Sequence, residues 1–491
     1  MSRALWVVIA GLGLPGILPA LAIARRSPAL VFLAPLMGAG MAAVAAELEL
    51  GVGLSLLTWY VVVAVTANVA VVAWWLTAGR SPPLASPPWT WSILTMLVVL
   101  GALIVPLTSL RTGIIGYDGN AVWLTHTLMV SGGHHELLTG LRNAAYTFSN
   151  PDYPPLVPAA GALAFALVGR GDLRVAIEVT ALLTACALGV VGAGVAAVGG
   201  RGRPSSRIAA VVAAGAVCMV GFSVTGIYYA VGGYADLLWS AAAVGAVVWG
   251  LVLPRSTQAL VVAWICAGVA SVTKNEGLAT ALVVLVLIAL RYRPLALSRL
   301  RRPRVQPESR GLQDVAVGSA VRRWAERAGF VVVPALPGLA WAGLARLIGL
   351  HNAFFTSSSA ESPVSRARAT IHGMAPHLVV VPVALAVLVA GCYFVRRDRE
   401  RARLGHPAWL WTAWFLSLAL IYVTYVLGSP PIKWWLLTSV DRTTIYPQLV
   451  LYTDLAIWMA IAFGGGGAQA AGERPAAAPV AAAPVAARTD A

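Results

Sequence analysis

An all-α polytopic membrane protein is the fold class this sequence predicts, and two observations predict it. The chain of 491 residues is 59% hydrophobic and only 11% charged, with mean hydropathy +0.79, outside the range of soluble domains. Apolar stretches of about 20 residues, the length that crosses about 30 Å of hydrocarbon, also recur along it. The runs are continuous, not alternating in polarity, which excludes an outer-membrane barrel.

About thirteen spans follow from hydropathy: 4–24, 28–46, 52–77, 89–110, 175–199, 207–226, 236–253, 257–272, 277–290, 329–350, 377–395, 407–427 and 445–463. The first run lacks a cleavage site, and Arg25-Arg26 follows it where a signal peptide would have its charge in front. The formal charge of +16 sits in a few short basic loops. That is the pattern of cytoplasmic loops and not of a nucleic-acid-binding surface. The segment from Arg291 to Arg327 holds ten arginines, and that from Arg396 to Arg403 holds five. With Arg25-Arg26, Arg80, Arg201 to Arg207 and Arg255 they are assigned to the cytoplasm, where they also suit anionic lipid headgroups. Alternation then requires one full crossing between the polar segment 113–153 and Arg201. Residues 175–199 make that crossing, and the shorter run 154–169 is expected as a juxtamembrane or re-entrant helix on the outer side. The N-terminus is expected outside and the C-terminus inside.

Three regions result: an N-terminal three-helix addition (1–88), a membrane core (89–463) with outer loops at 111–174 and 351–376, and an Ala/Pro-rich cytoplasmic tail (464–491) of disordered composition. No soluble domain of appreciable size remains, so any chemistry falls to the helices and their outer loops. Cys186, Cys218, Cys266 and Cys392 all lie in apolar runs and read as packing residues.

Ionisable groups at the ends of apolar spans are costly and default to functional candidates. Asp118, in Gly-Tyr-Asp-Gly-Asn, is either the cap of a following helix or a general base. Asp152 and Tyr153 precede Pro154-Pro155, where Asp152 builds a turn or holds an acceptor or cation. Asp236 follows Gly232-Gly233-Tyr234-Ala235, as a helix cap or as part of a ligand site. Lys274 and Glu276 interrupt an apolar stretch, as a solvated hairpin, a mutual pair, or a lysine set to hold phosphate as a point charge. Arg442 is expected on the outer side against the positive-inside trend, where a guanidinium binds phosphate bidentately. Lys433 is a weaker phosphate candidate, and Trp434 and Trp435 suit an interfacial belt. His126, His134 and His135 read as a polar helix face, with no metal spacing. The segment around Ser357, Ser358, Ser359 and Glu361 reads as a lid or linker.

Taken in order, these pieces resemble the integral-membrane GT-C glycosyltransferases, in particular the bacterial branch of the protein O-mannosyltransferase and aminoarabinose transferase-like family. The resemblance rests on Tyr117-Asp118 after a span, Pro154-Pro155-Leu156 closing a long loop, Ala235-Asp236, Thr273-Lys274, and Arg442 with Pro447 near the last span. It covers roughly residues 89 to 463. Two departures stand out. Tyr153 occupies the place before Pro-Pro where many relatives carry a charge, and Asn275-Glu276 follows Lys274 in place of Gly-Pro. The resemblance implies a transferase moving a sugar from a polyprenyl-phosphate donor to a glycan, lipid or protein acceptor, on the outer face of the bacterial cytoplasmic membrane. Asp118 would be the base, and Arg442 and Lys274 would lie near the phosphate. No cofactor is required, although two carboxylates could share a divalent cation with the phosphate. A lipid or glycan transporter is the alternative, and a non-catalytic envelope partner a third reading. Against the transporter, the chain shows no internal repeat.

Overall fold

The computed structural model describes residues 2–24, 27–77, 89–108, 116–169, 172–199, 204–223, 227–292, 314–352, 354–355, 361–378, 385–386, 389–391 and 408–464. Every regular element among them is helical. Six of these helices are long and apolar enough to cross a membrane: Ser2–Ile23, Ala29–Val52, Leu56–Trp74, Arg174–Val198, Ala328–Leu347 and Ala408–Leu427. Shorter apolar helices cover Thr90–Ile104, Leu156–Val168, Ser206–Phe222, Asp236–Val252 and Thr257–Ser271. The chain is a helical membrane protein, with helix as the regular structure of its described residues. Helices Asn275–Arg291 and Ile445–Gly464 fall where spans 277–290 and 445–463 are expected. Most of the expected span 377–395 lies outside the described residues. So do most of the basic loops that orient the chain, Ser357 to Ser359, Cys392 and the tail from 465.

The first three helices do not form a separate body. Their buried residues join one continuous core running from Ala4 to Ala460. The Ala29–Val52 helix packs on both Leu156–Val168 and Arg174–Val198. Small residues make the approach of the first two helices close. A Cβ on Gly38 would strike the Leu12 carbonyl, and one on Gly16 the Ala34 carbonyl, the backbone-to-backbone packing that membrane helices favour. Gly53 ends the Ala29–Val52 helix with φ +96°, a left-handed turn that a glycine makes without Cβ strain.

At the end of the bundle away from the site, Arg291 is buried. It donates to the carbonyls of Gly250 (2.7 Å) and Leu253 (2.8 Å), satisfying the open end of the Asp236–Val252 helix. Cys218 and Cys266 are buried and unpaired, as packing residues should be.

Candidate active site

Backbone glycines bring the first acidic motif to the second. Gly116 N–H donates to the Gly232 carbonyl at 2.9 Å. Gly119 lies against the same carbonyl so closely that no side chain fits there. Gly233, at φ +83°, turns the chain in a conformation open to glycine. Asp118 flanks the helical stretch Gly119–Leu124 but makes no side-chain cap. Its Oδ2 instead accepts a hydrogen bond from Arg442 Nη1. Tyr234 lies beneath, its ring centroid 5.3 Å from the Arg442 guanidinium carbon. The cap reading of Asp118 therefore has no side-chain hydrogen bond behind it.

Asp236 also fails as a cap: it is the first residue of its helix, with Ala235 in the cap position. Its carboxylate is 1% exposed and accepts from Lys274 Nζ at 2.8 Å. Arg442 Nη1 is 4.0 Å from the other oxygen of Asp236. One chain of charge thus runs Asp118, Arg442, Asp236, Lys274, with Glu276 at 3.5 Å from Lys274. The solvated-hairpin reading of Lys274 is overturned by its 5% side-chain exposure. Burial disfavours the Lys274 charge, but Asp236 and Glu276 outweigh burial and raise its pKa. Arg442 behaves alike, with burial overcome by Asp236 and Asp118.

Asp152 is a knot between segments. Its Oδ2 accepts from Asn275 (2.6 Å) and Asn352 (3.0 Å), and its carbonyl accepts from Trp341 Nε1 at 2.8 Å. Asn150, at φ 52°, makes the expected turn, closed by Tyr153 N–H to the Asn150 carbonyl at 3.0 Å. Burial raises the Asp152 pKa, partly offset by Asn275. Tyr153 is buried, stacked on Trp123 at 5.5 Å and lying under Lys274 at 5.4 Å. It supports the lysine from behind. Leu156 N–H donates to the Val272 carbonyl at 3.0 Å, fixing the Pro-Pro-Leu corner to the turn before Lys274.

Exposure sorts these groups by what they can meet. Arg442 and Asp118 retain 15% and 16% side-chain exposure, against 5% and 1% for Lys274 and Asp236. The first pair can touch a ligand, while the second sets the field behind it. Among the charged residues of this cluster, Asp152 Oδ1, Asp236 Oδ2 and Glu276 Oε2 are buried without a hydrogen-bond donor. A buried acceptor left unmet is costly.

Lys433 is not part of this cluster. It precedes Arg442 by about two and a half helical turns, is exposed, and faces the other way. Trp435, expected at the membrane interface, is buried and stacks on Phe354 at 5.3 Å, whereas Trp434 is exposed. Of the segment that reads as a lid or linker, residues 361–378 are described. Pro363–Met374 is a helix anchored by the buried Arg366. Sequence reasoning missed Asn275, Asn352, Trp341 and Tyr234 because neutral amides and rings at span ends carry no distinctive pattern. Among the described residues no group of three or more His, Cys, Asp or Glu is placed to hold a metal.

His126, expected on a polar face, is 3% exposed, with Nε2 3.0 Å from Ser149 Oγ. Burial pushes its pKa from 6.5 to about 4. The unfolded chain therefore takes up this proton first as pH falls, and stability is lost between pH 6.5 and about 4. His126→Gln should flatten the pH dependence of thermal unfolding in that window by up to about 3 kcal/mol. An unchanged profile would mean His126 is not held neutral.

No protein-family model, no curated protein and no solved structure matches this chain. The functional reading therefore rests on the residues themselves.

Proposed function

We propose that this protein is a glycosyltransferase of GT-C type. It moves a sugar from a polyprenyl-phosphate donor to an envelope acceptor at the extracytoplasmic face of a bacterial cytoplasmic membrane. The observation that carries the reading is the pairing of Asp118 with Arg442, partly exposed, where several apolar helices end together. A carboxylate and a guanidinium side by side at a bilayer edge suit two tasks in one reaction, taking a proton and holding a phosphate.

The acceptor hydroxyl gives its proton to Asp118. Its oxygen forms a bond to the anomeric carbon as the bond from that carbon to the phosphate oxygen breaks. The leaving electron pair stays on the polyprenyl phosphate, and the configuration inverts. Arg442 stabilises the charge that builds on the leaving oxygen, a contribution of about 3–4 kcal/mol for a well-placed donor. The buried Lys274 ammonium sustains the field through Asp236. In the unliganded site Asp118 accepts from Arg442. A bound phosphate competes for that guanidinium, so donor binding frees the carboxylate for the proton. The mechanism routes no step through a cofactor. A divalent cation arriving with the phosphate would show as loss of binding in chelator.

The test is binding of a polyprenyl phosphate to the protein in lipid nanodiscs. Arg442→Ala should weaken binding about tenfold to a hundredfold, the worth of one charged hydrogen bond at about 1.5–3 kcal/mol. Equal affinity in the variant would remove Arg442 from the phosphate and with it this mechanism.

A further inference from the structure

We infer that Arg366 and Glu361 are positioning residues for Arg442, clamping the short helix Ile432–Thr443 that carries it. Their bearing on transfer rests on the reading of Arg442 as the phosphate group. The clamp itself does not.

The problem they solve is local. The Ala408–Leu427 helix stops, a short turn follows, and the Ile432–Thr443 helix begins. The first leaves carbonyls open and the second leaves N–H groups open. Pro431 stands in the cap position of the second helix and supplies no side-chain cap. Arg366 meets the carbonyl side. Its side chain is 1% exposed, and it donates to the carbonyls of Tyr425 (2.7 Å), Val426 (3.1 Å) and Pro430 (2.8 Å). Glu361 meets the N–H side: Oε2 accepts from Ile432 N–H at 3.1 Å while also pairing with Arg366 Nη1 at 3.1 Å. A carboxylate there also complements the helix dipole. One ion pair thus closes both helix ends at the corner.

The clamp reaches Arg442 through the same helix. Tyr425, whose carbonyl Arg366 holds, places its hydroxyl 2.7 Å from Ser439 Oγ and 3.0 Å from Thr443 Oγ1. These residues flank Arg442 in sequence, so the corner sets both the start of the helix and its rotation. Burying a guanidinium is costly unless every donor is used, and Arg366 spends its donors on this corner. In the segment that the sequence reads as a lid or linker, Glu361 and Arg366 form this support.

The test uses the full chain in nanodiscs with two readouts. In a Ser439→Cys background, where the position is 8% exposed, Arg366→Ala should raise the thiol-labelling rate by about tenfold or more, as local opening exposes it. Unchanged labelling would overturn the clamp whatever the protein binds. For the link to Arg442, polyprenyl-phosphate binding is measured in Arg366→Ala, Arg442→Ala and the double variant. The two changes should be non-additive, Arg366→Ala weakening binding about tenfold alone and adding nothing once Arg442 is gone. Additive losses would overturn a role through Arg442. An Arg442→Ala variant that binds normally would sink the phosphate reading, while labelling still judges the clamp. If Arg366→Ala does not fold, Glu361→Gln, altered at a partly exposed side chain, takes its place with smaller effects in the same direction.

Discussion

Asp118→Asn should leave a protein that inserts and folds normally yet turns over about 10²–10⁴-fold more slowly, the usual worth of a general base. The side chains are nearly isosteric, and the amide oxygen can still accept from Arg442. Folding loses only one charge of a pair that is partly exposed. Arg442 keeps that oxygen and also the Asp236 carboxylate 4.0 Å away, so the melting temperature should move by no more than a few degrees. Catalysis loses the carboxylate, the group on that side chain able to take the acceptor's proton. The measurement is single-turnover transfer from a polyprenyl-phosphate sugar, beside thermal unfolding of the same preparation. Turnover within severalfold of the parent protein would remove Asp118 as base, and the transporter reading would then gain. A variant that loses turnover because it loses its fold would show in the melt and would not count for the mechanism.

The helical membrane class was legible because hydropathy over about 20 residues is a strong signal, summed across many side chains. The charged groups were legible for the opposite reason. Asp118, Asp236, Lys274 and Arg442 stand out singly, because a charge at the end of an apolar run carries a cost that something must offset. Their partnerships were not legible. Lys274 could have paired with Glu276, two residues away, and it does approach it. The closer partner is Asp236, in another helix. Lys433 was already the weaker phosphate candidate beside Arg442, and the helical phase between them sets the two apart. Arg366 is the clearest case of invisibility. It sits in Ser365-Arg366-Ala367-Arg368, and nothing in that string distinguishes it from its neighbour. Its partners are backbone carbonyls about sixty residues away, and every residue has a carbonyl. The segment of the first three helices shows the same limit. Glycines at 16 and 38 read as ordinary membrane composition until the two helices are seen in contact at those points.

Lys274→Met should be the most destabilising single change at the site. Methionine keeps the apolar stem but strands Asp236, 1% exposed, with only Arg442 at 4.0 Å for company. Breaking one partner from a buried pair costs about 3–5 kcal/mol, because the remaining charge stays desolvated. The second change then matters more than the first. Asp236→Asn alone leaves a buried ammonium with Glu276 still beside it, a smaller loss. The double variant, Lys274→Met with Asp236→Asn, carries neither unpaired charge and should recover about half or more of what Lys274→Met lost. Chemical denaturation in detergent micelles, with all four proteins compared, reads this directly. Additive losses would mean that the pair is not coupled and that the charge chain from Asp118 to Lys274 is only proximity. Coupled losses, with the double variant stable yet weak in polyprenyl-phosphate binding, would separate the two roles of the buried pair. Its charges largely offset each other for folding, but the ammonium also stands one carboxylate behind the guanidinium. Removing the pair takes a positive charge and a negative charge from behind Arg442 together. What remains is an arginine free to follow Asp118 and no longer held toward the place where a phosphate would sit.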